Sequence, residues 1–78
     1  MSAQGRNLGR RVRLSIRHYA AEQGLSLGAV AERAGMSRAT LQRRLARPEE
    51  FGTNELDRLA GAFGVPVLEF LGFSEERS

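Results

Sequence analysis

The stretch Gly35–Arg47, GMSRATLQRRLAR, predicts a short turn that leads into a helix, and the rest of the chain is organised around it. Ser37 is a preferred N-cap residue, because its hydroxyl can accept a hydrogen bond from a free N–H of the first helical turn. If Arg38 opens the helix, Leu41 and Leu45 lie four residues apart on one face. This thin apolar edge predicts that one side of the helix is anchored in a core.

The remaining positions of this predicted helix are small or polar. They are Arg38, Ala39, Thr40, Gln42, Arg43, Arg44 and Ala46, with Arg47 directly after them. The segment contains four arginines and no acid. Guanidinium groups concentrated on one short helix repel each other, so they indicate a polyanionic partner. We therefore expect this helix to lie in a groove of DNA.

A second helix precedes the turn. Ser26 can cap it, and its apolar stripe is Leu27, Val30, Ala31 and Ala34. Gly35–Ser37 is long enough only for a sharp change of direction. Two helices joined by a turn of about three to four residues that contains glycine form a helix-turn-helix unit.

Three further helices are predicted around this unit, which makes the fold all-α, a compact five-helix bundle. The first runs from Leu8 to Gln23 and ends at Gly24, with apolar residues at helical spacing. Pro48 ends the third helix, and Phe51 is expected in the core. A fourth helix, capped by Thr53, covers Asn54–Phe63, and a fifth runs from Pro66 to about Leu71.

The predicted organisation is a flexible arm over residues 1–7, a helix-turn-helix domain over 8–72 and an acidic tail over 73–78. The arm is expected to be either a frayed terminus or a minor-groove contact through Arg6. Charge is divided along the chain: residues 1–47 hold ten arginines and two acids, and residues 48–78 hold two arginines and seven acids. A basic half facing an acidic half suits nucleic acid on one side and solvent on the other.

Composition argues against several other classes of protein. The chain has no cysteine and a single histidine, so we expect no thiolate metal site, no cofactor and no histidine-based catalytic pair. No nucleophile–base pair can be named, and we expect no enzymatic activity and no small-molecule substrate. The beginning of the chain lacks the apolar core of a signal peptide, and no run is long enough to span a membrane. A cytoplasmic protein associated with the nucleoid of a bacterial cell is expected.

From Leu8 to Gly72 the chain resembles the Cro/C1-type helix-turn-helix domain of phage repressors and related bacterial regulators. The resemblance is carried by Leu25-Ser26, Ala31-Glu32, Gly35-Met36-Ser37, Ser37-Arg38-Ala39-Thr40-Leu41 and Leu59-Ala60 followed by Phe63-Gly64-Val65. The run Leu41–Leu45 and Phe51 are similar to short regulators of actinobacterial phages. The resemblance implies a lambda-repressor-like bundle whose third helix enters the major groove.

The resemblance also implies which residues touch DNA. Base-reading positions fall on Ser37, Arg38, Ala39, Gln42 and Arg43, and phosphate-binding positions fall on Arg13, Ser26, Leu27, Thr40, Arg44 and Arg47. Arginines suit the O6 and N7 atoms of guanine, glutamine suits adenine, and an alanine methyl suits the methyl group of thymine.

Leu27 departs from the family pattern. The family usually has glutamine at this position, which clamps a phosphate and braces the third helix, called here the reader helix because it contacts the bases. Two alternatives stay open at this point. Either the free N–H groups near Ser26 hold the phosphate unaided, or Arg38 takes over the bracing role.

One reader helix contacts few base pairs, so a homodimer on a two-fold operator is expected, acting as a repressor by occlusion. Leu68, Phe70, Leu71 and Phe73 could form the dimer contact or could fill the core.

The main alternative to a DNA-binding function is an antitoxin-like or scaffold module that uses the same fold to bind an acidic protein. RNA binding is disfavoured, because the basic face has no aromatic residues for base stacking.

Overall fold

In a computed structural model, the backbone is described for residues 2–72 and the side chains for residues 8–72. Within 2–72 the chain forms α-helices and no strand, which confirms the predicted all-α five-helix fold. The helices are α1 Ser2–Gln23, α2 Leu27–Ala34, α3 Arg38–Ala46, α4 Thr53–Phe63 and α5 Val67–Phe70, with a 3₁₀ helix at Pro48–Glu50. The predicted acidic tail, 73–78, lies outside the described residues.

The first helix is longer than the sequence predicts. It begins at Ser2 and not near Leu8, so the segment expected as a loose arm has a helical backbone. The arm was predicted because residues 1–7 show no apolar periodicity. Periodicity reports which face is buried, however, and a segment without proline can simply continue a helix that packing has already nucleated. The predicted end is confirmed, because Gly24 follows with φ of +65°.

The core lies where α1, α2, α3, α4 and α5 meet. The largest fully buried side chains are Val12, Ile16, Val30, Leu41, Leu59 and Phe70. Phe51, in the loop before α4, is buried as predicted. Three aromatic rings form a cluster: the ring centroid of Tyr19 lies 5.5 Å from that of Phe63 and 6.5 Å from that of Phe70. Because Leu41 is one of these fully buried residues, it anchors α3, the predicted reader helix, in the core.

The fourth helix is capped differently from the prediction. Thr53 is its first residue and not its cap, and Gly52 occupies the N-cap position. The carboxylate of Glu55 reaches back and accepts a hydrogen bond from the Gly52 N–H, with 3.0 Å between N and Oε1. A glutamate at the third helical position supplies this part of a capping box without help from the cap residue. Likewise Pro66 precedes α5 as its N-cap rather than opening it.

Side chains from α1 hold the ends of the last two helices. The Ser15 hydroxyl donates to the Phe70 carbonyl over 2.6 Å, and the Gln23 amide donates to the Phe63 carbonyl over 2.9 Å. Carbonyls in the last turn of a helix have no partner inside that helix. These two hydrogen bonds satisfy such groups and fix α4 and α5 against α1.

Candidate nucleic-acid interface

The turn between α2 and α3 has the geometry that its sequence predicts. Gly35 follows α2 with φ of +72°, a left-handed conformation that favours glycine. The Met36 N–H donates to the Ala31 carbonyl over 2.9 Å and closes the end of α2. Ser37 then caps α3, because its hydroxyl accepts from the Thr40 N–H over 3.0 Å. These caps end α2 at Ala34 and begin α3 at Arg38, so the turn between the two helices is three residues long.

The third helix has one buried edge and one exposed face. Leu41 is 0% exposed, and Leu45 is half-buried against the core. The opposite face is exposed and consists of Arg38, Ala39, Gln42, Arg43 and Ala46. This arrangement confirms the predicted orientation of the helix.

Three side chains of this exposed face are available for a partner. The side chains of Arg38, Gln42 and Arg43 make no hydrogen bond or ion pair with any residue whose side chain is described. Their guanidinium and amide groups are the types that form paired hydrogen bonds with base edges. We call Arg38, Ala39, Gln42 and Arg43 the outer face of α3.

Ser37 differs from the other predicted base-reading residues. Its hydroxyl donates to the Thr40 hydroxyl over 2.9 Å and accepts from the Thr40 N–H. A hydroxyl has one donor and two acceptor sites. Only one acceptor site of Ser37 therefore remains for a partner, while the half-buried Thr40 has its own hydroxyl engaged with Ser37.

Arg44, predicted to bind phosphate, is held by the protein itself. Its Nε lies 3.1 Å from Glu55 Oε1, and its Nη2 lies 3.3 Å from Glu55 Oε2. Both side chains are mostly buried, with 27% and 21% of their surfaces exposed. The hydrogen bonds from the Gly52 N–H and from Arg44 stabilise the carboxylate and lower the pKa of Glu55 below its ordinary value.

Two other arginines predicted to bind phosphate also have partners in the protein. Arg13 on α1 donates from Nη1 to the Leu45 carbonyl over 3.3 Å. Arg47 Nη1 lies 3.4 Å from Glu50 Oε2, but this pair is exposed, with 70% of the Arg47 side chain in solvent. An exposed ion pair of this kind contributes little and exchanges readily for another anion. Arg47 is therefore available to a phosphate, whereas Arg13 and Arg44 are engaged in the packing of α3.

The start of α2 offers backbone donors. The Ser26 hydroxyl accepts from the Ala29 N–H over 3.1 Å, which leaves the N–H groups of Leu27 and Gly28 without a partner in the part of the chain that the structure describes. Leu27 itself is half-buried and lines an open apolar groove beside Leu25 and Leu45. Because Arg38 is exposed and unpaired among the described residues, it does not brace α3 in the free protein.

The three described residues among those considered for dimerisation differ in exposure. Phe70 is 0% exposed and belongs to the core, which is one of the two alternatives that the sequence leaves open for it. Leu71 is partly buried against the same core, whereas Leu68 is 60% exposed. Phe73 lies outside the described residues. In the core the ring of Phe70 packs beside two other aromatic rings, with its centroid 6.5 Å from that of Tyr19 and 6.1 Å from that of Phe63.

Two contacts were not predicted from the sequence: Glu55 accepts from both Gly52 and Arg44, and Arg13 donates to the Leu45 carbonyl. Glu55 lies eleven residues beyond Arg44, across the loop that contains Pro48. The signal that could have suggested its role was local: a glutamate in the first turn of a helix whose cap has no side chain. The contact of Arg13 with a backbone carbonyl leaves no signature in a single sequence.

Comparison with known proteins agrees with this geometry. A family model described as helix-turn-helix matches residues 16–70, which is more than half of the chain and includes α2, the turn and α3. Comparison with curated proteins and with solved structures gave no match. Across residues 2–72, no helix has both the length and the apolar character needed to cross a membrane.

Proposed function

Because the chain belongs to the Cro/C1-type helix-turn-helix family of DNA-binding regulators, we propose that it represses transcription by occupying a specific DNA duplex. In this proposal α3 lies in the major groove with its outer face against the bases. The observation that carries the proposal is that α3 has one side buried in the core and the opposite side exposed. Leu41 is fully buried, while Arg38, Gln42 and Arg43 are exposed and have no partner among the described side chains.

The proposed base contacts follow from the chemistry of the outer face. Arg38 and Arg43 each present a planar pair of donors that matches O6 and N7 of guanine, and Gln42 suits adenine. Ala39 has room only for an apolar contact such as a thymine methyl. Ser37 contributes mainly through the cap that it makes with Thr40, and its remaining acceptor is free for DNA.

The proposed phosphate contacts come from both ends of the unit. The N–H groups of Leu27 and Gly28, beside Ser26, have no partner among the described residues and lie at the positive end of a helix, where anions bind well. Arg47, just beyond α3, has only an exposed ion pair to give up. Phosphate contacts fix the position of a protein on the duplex, and base contacts supply the sequence preference.

A single α3 covers too few base pairs to specify one site in a genome, so we propose that two copies bind half-sites about one helical turn apart. Leu68 is the exposed apolar residue of α5 and the candidate for contact between the copies. With the duplex occupied, polymerase or another regulator is excluded. The similarity to regulators of actinobacterial phages remains a prediction.

The experiment begins with selection of a duplex from a random-sequence pool by the wild-type protein. Binding to the selected duplex and to a shuffled duplex of the same composition is then measured at several salt concentrations. We expect Arg43→Ala to lower the preference for the selected duplex, because one bidentate base contact discriminates by about 1–3 kcal/mol. The matched control is Arg33→Ala, which removes the same charge from an exposed residue in the last turn of α2, away from the proposed phosphate contact at the start of that helix.

The result would contradict the proposal if Arg43→Ala and Arg33→Ala lowered affinity for both duplexes equally. Failure of the wild-type protein to select any duplex, together with salt-independent weak binding, would favour the alternative of a protein-interaction module. In that case the basic face would meet an acidic protein.

A further inference from the structure

The C-terminal half of α3 is tied to two elements outside the helix-turn-helix unit. From one side Arg13 of α1 donates to the Leu45 carbonyl over 3.3 Å. From the other side Glu55 of α4 holds the Arg44 guanidinium through two nitrogen–oxygen contacts of 3.1 and 3.3 Å. Both contacts bear on how α3 would meet a duplex, and their role in binding rests on the proposed function.

The pair between Arg44 and Glu55 has the geometry of a fixed connection. Two nearly parallel N–H···O contacts define both the distance and the plane of the guanidinium. The same carboxylate accepts the Gly52 N–H, so it is fixed at the start of α4. If Arg44 turned toward a DNA phosphate, it would leave the half-buried carboxylate of Glu55 without its charged partner, which is unfavourable for a charge partly removed from water.

The contact of Arg13 acts on the last turn of α3. Carbonyls at the end of a helix lack intrahelical partners. The Arg47 N–H satisfies those of Arg43 and Arg44, over 3.3 and 3.0 Å, and Arg13 satisfies that of Leu45. A cation is also favoured at this end by the helix dipole. Arg13 therefore fixes the end of α3 that its own backbone leaves open.

We propose that Arg13 and Arg44 are positioning residues that set the direction of α3 in the DNA groove, and are not phosphate-binding residues. Leu41 is the one fully buried residue among the nine of α3, and Leu45 is half-buried against the core. The contacts of Arg13 and Arg44 lie near the C-terminal end of the helix, where they add to the constraint that Leu41 places on its direction. They thereby keep Arg38, Gln42 and Arg43 aligned with the base edges.

The decisive variant is Arg44→Lys, which keeps the positive charge but loses the planar fork that grips Glu55. The wild-type protein first selects a duplex from a random pool, and binding is compared with a shuffled duplex of equal composition across a range of salt. As a positioning residue, Arg44 cannot be replaced by lysine. The preference for the selected duplex should fall at least about five-fold, the lower end of one bidentate base contact, while the slope of log K against log salt stays at the wild-type value.

A phosphate-binding Arg44 predicts a different pattern. A lysine ammonium neutralises a phosphate as well, so Arg44→Lys would retain both affinity and preference. Arg44→Ala and Arg13→Ala would each reduce the salt slope by about 0.9, the value for one lost phosphate contact. If Arg13 and Arg44 instead position α3, the salt slopes of both alanine variants should match that of Arg33→Ala, a charge-matched control on α2. Retained preference in Arg44→Lys, or slope losses of this size in both alanine variants, would overturn the proposal.

Glu55→Gln tests the same contact from its other partner and keeps an oxygen to accept the Gly52 N–H. Positioning predicts a lower preference for the selected duplex than in Asp57→Asn, which removes an equal charge from an exposed residue of α4. If Glu55 merely competed with phosphate for Arg44, Glu55→Gln would bind both duplexes more tightly with unchanged preference, and the proposal would fail. A wild-type protein that selects no duplex would instead overturn the proposed function, and this assignment with it.

Discussion

Replacing Leu41 with alanine tests whether α3 is held by the core through this residue. Leu41 is 0% exposed, so the change removes buried carbon atoms and leaves a cavity beneath the helix. Such substitutions cost about 2–5 kcal/mol. With a midrange value of about 3 kcal/mol, and a shift of about 4–8 °C per kcal/mol for a domain of this size, the Tm should fall by about 12–24 °C.

The matched control is Leu68→Ala, because Leu68 is the same residue type but 60% exposed. Less than half of its side chain is removed from water on folding, so its loss should cost at most about 1 kcal/mol. Both free energies of unfolding can be obtained from urea titrations followed by circular dichroism at 222 nm, at a low protein concentration. Equal losses for the two variants would refute the account of how α3 is anchored.

The remaining predictions concern the turn and its supports. Gly35→Ala should destabilise the protein by about 1 kcal/mol, because φ at this position is +72°. Gly61→Ala, in open space within α4, should instead stabilise it by about 0.5–1 kcal/mol. Both free energies of unfolding can be measured by urea titration. Ser37→Ala should cost about 1 kcal/mol and increase amide exchange at Thr40, and unchanged exchange would argue against the cap. The pKa of Glu55 is lowered from 4.5, so its stabilising effect is complete above that pH and disappears as pH falls through the lowered pKa. The stability difference between wild type and Glu55→Gln should therefore shrink on acidification, and a constant difference would contradict the assignment.

Local signals in the sequence predicted the helix-turn-helix unit well. Ser26, Gly35 and Ser37 act through contacts with residues only a few positions away, so their residue types predict the geometry. The spacing of Leu41 and Leu45 likewise predicted which side of α3 is buried. These features were confirmed because both capping and helical periodicity depend on neighbours in the chain.

The features that sequence did not predict depend on distant neighbours or on competing choices. Arg44 and Glu55 meet across a loop, and Arg13 contacts a backbone carbonyl 32 residues away. Phe70 could fill the core or form an interface, and only its packing beside Tyr19 decides between them. An arginine on a helix is therefore not by itself a phosphate ligand, since charge alone does not say which anion it meets.

The central claim is that the outer face of α3 is the surface that binds DNA. Nuclear magnetic resonance of the ¹⁵N-labelled protein during titration with the selected duplex tests it most directly. If this face binds DNA, the largest shifts should occur at the side-chain nitrogens of Arg38, Gln42 and Arg43, with the amides of α4 and α5 nearly unchanged. Shifts concentrated on α4 and α5, with these three side chains unaffected, would contradict it.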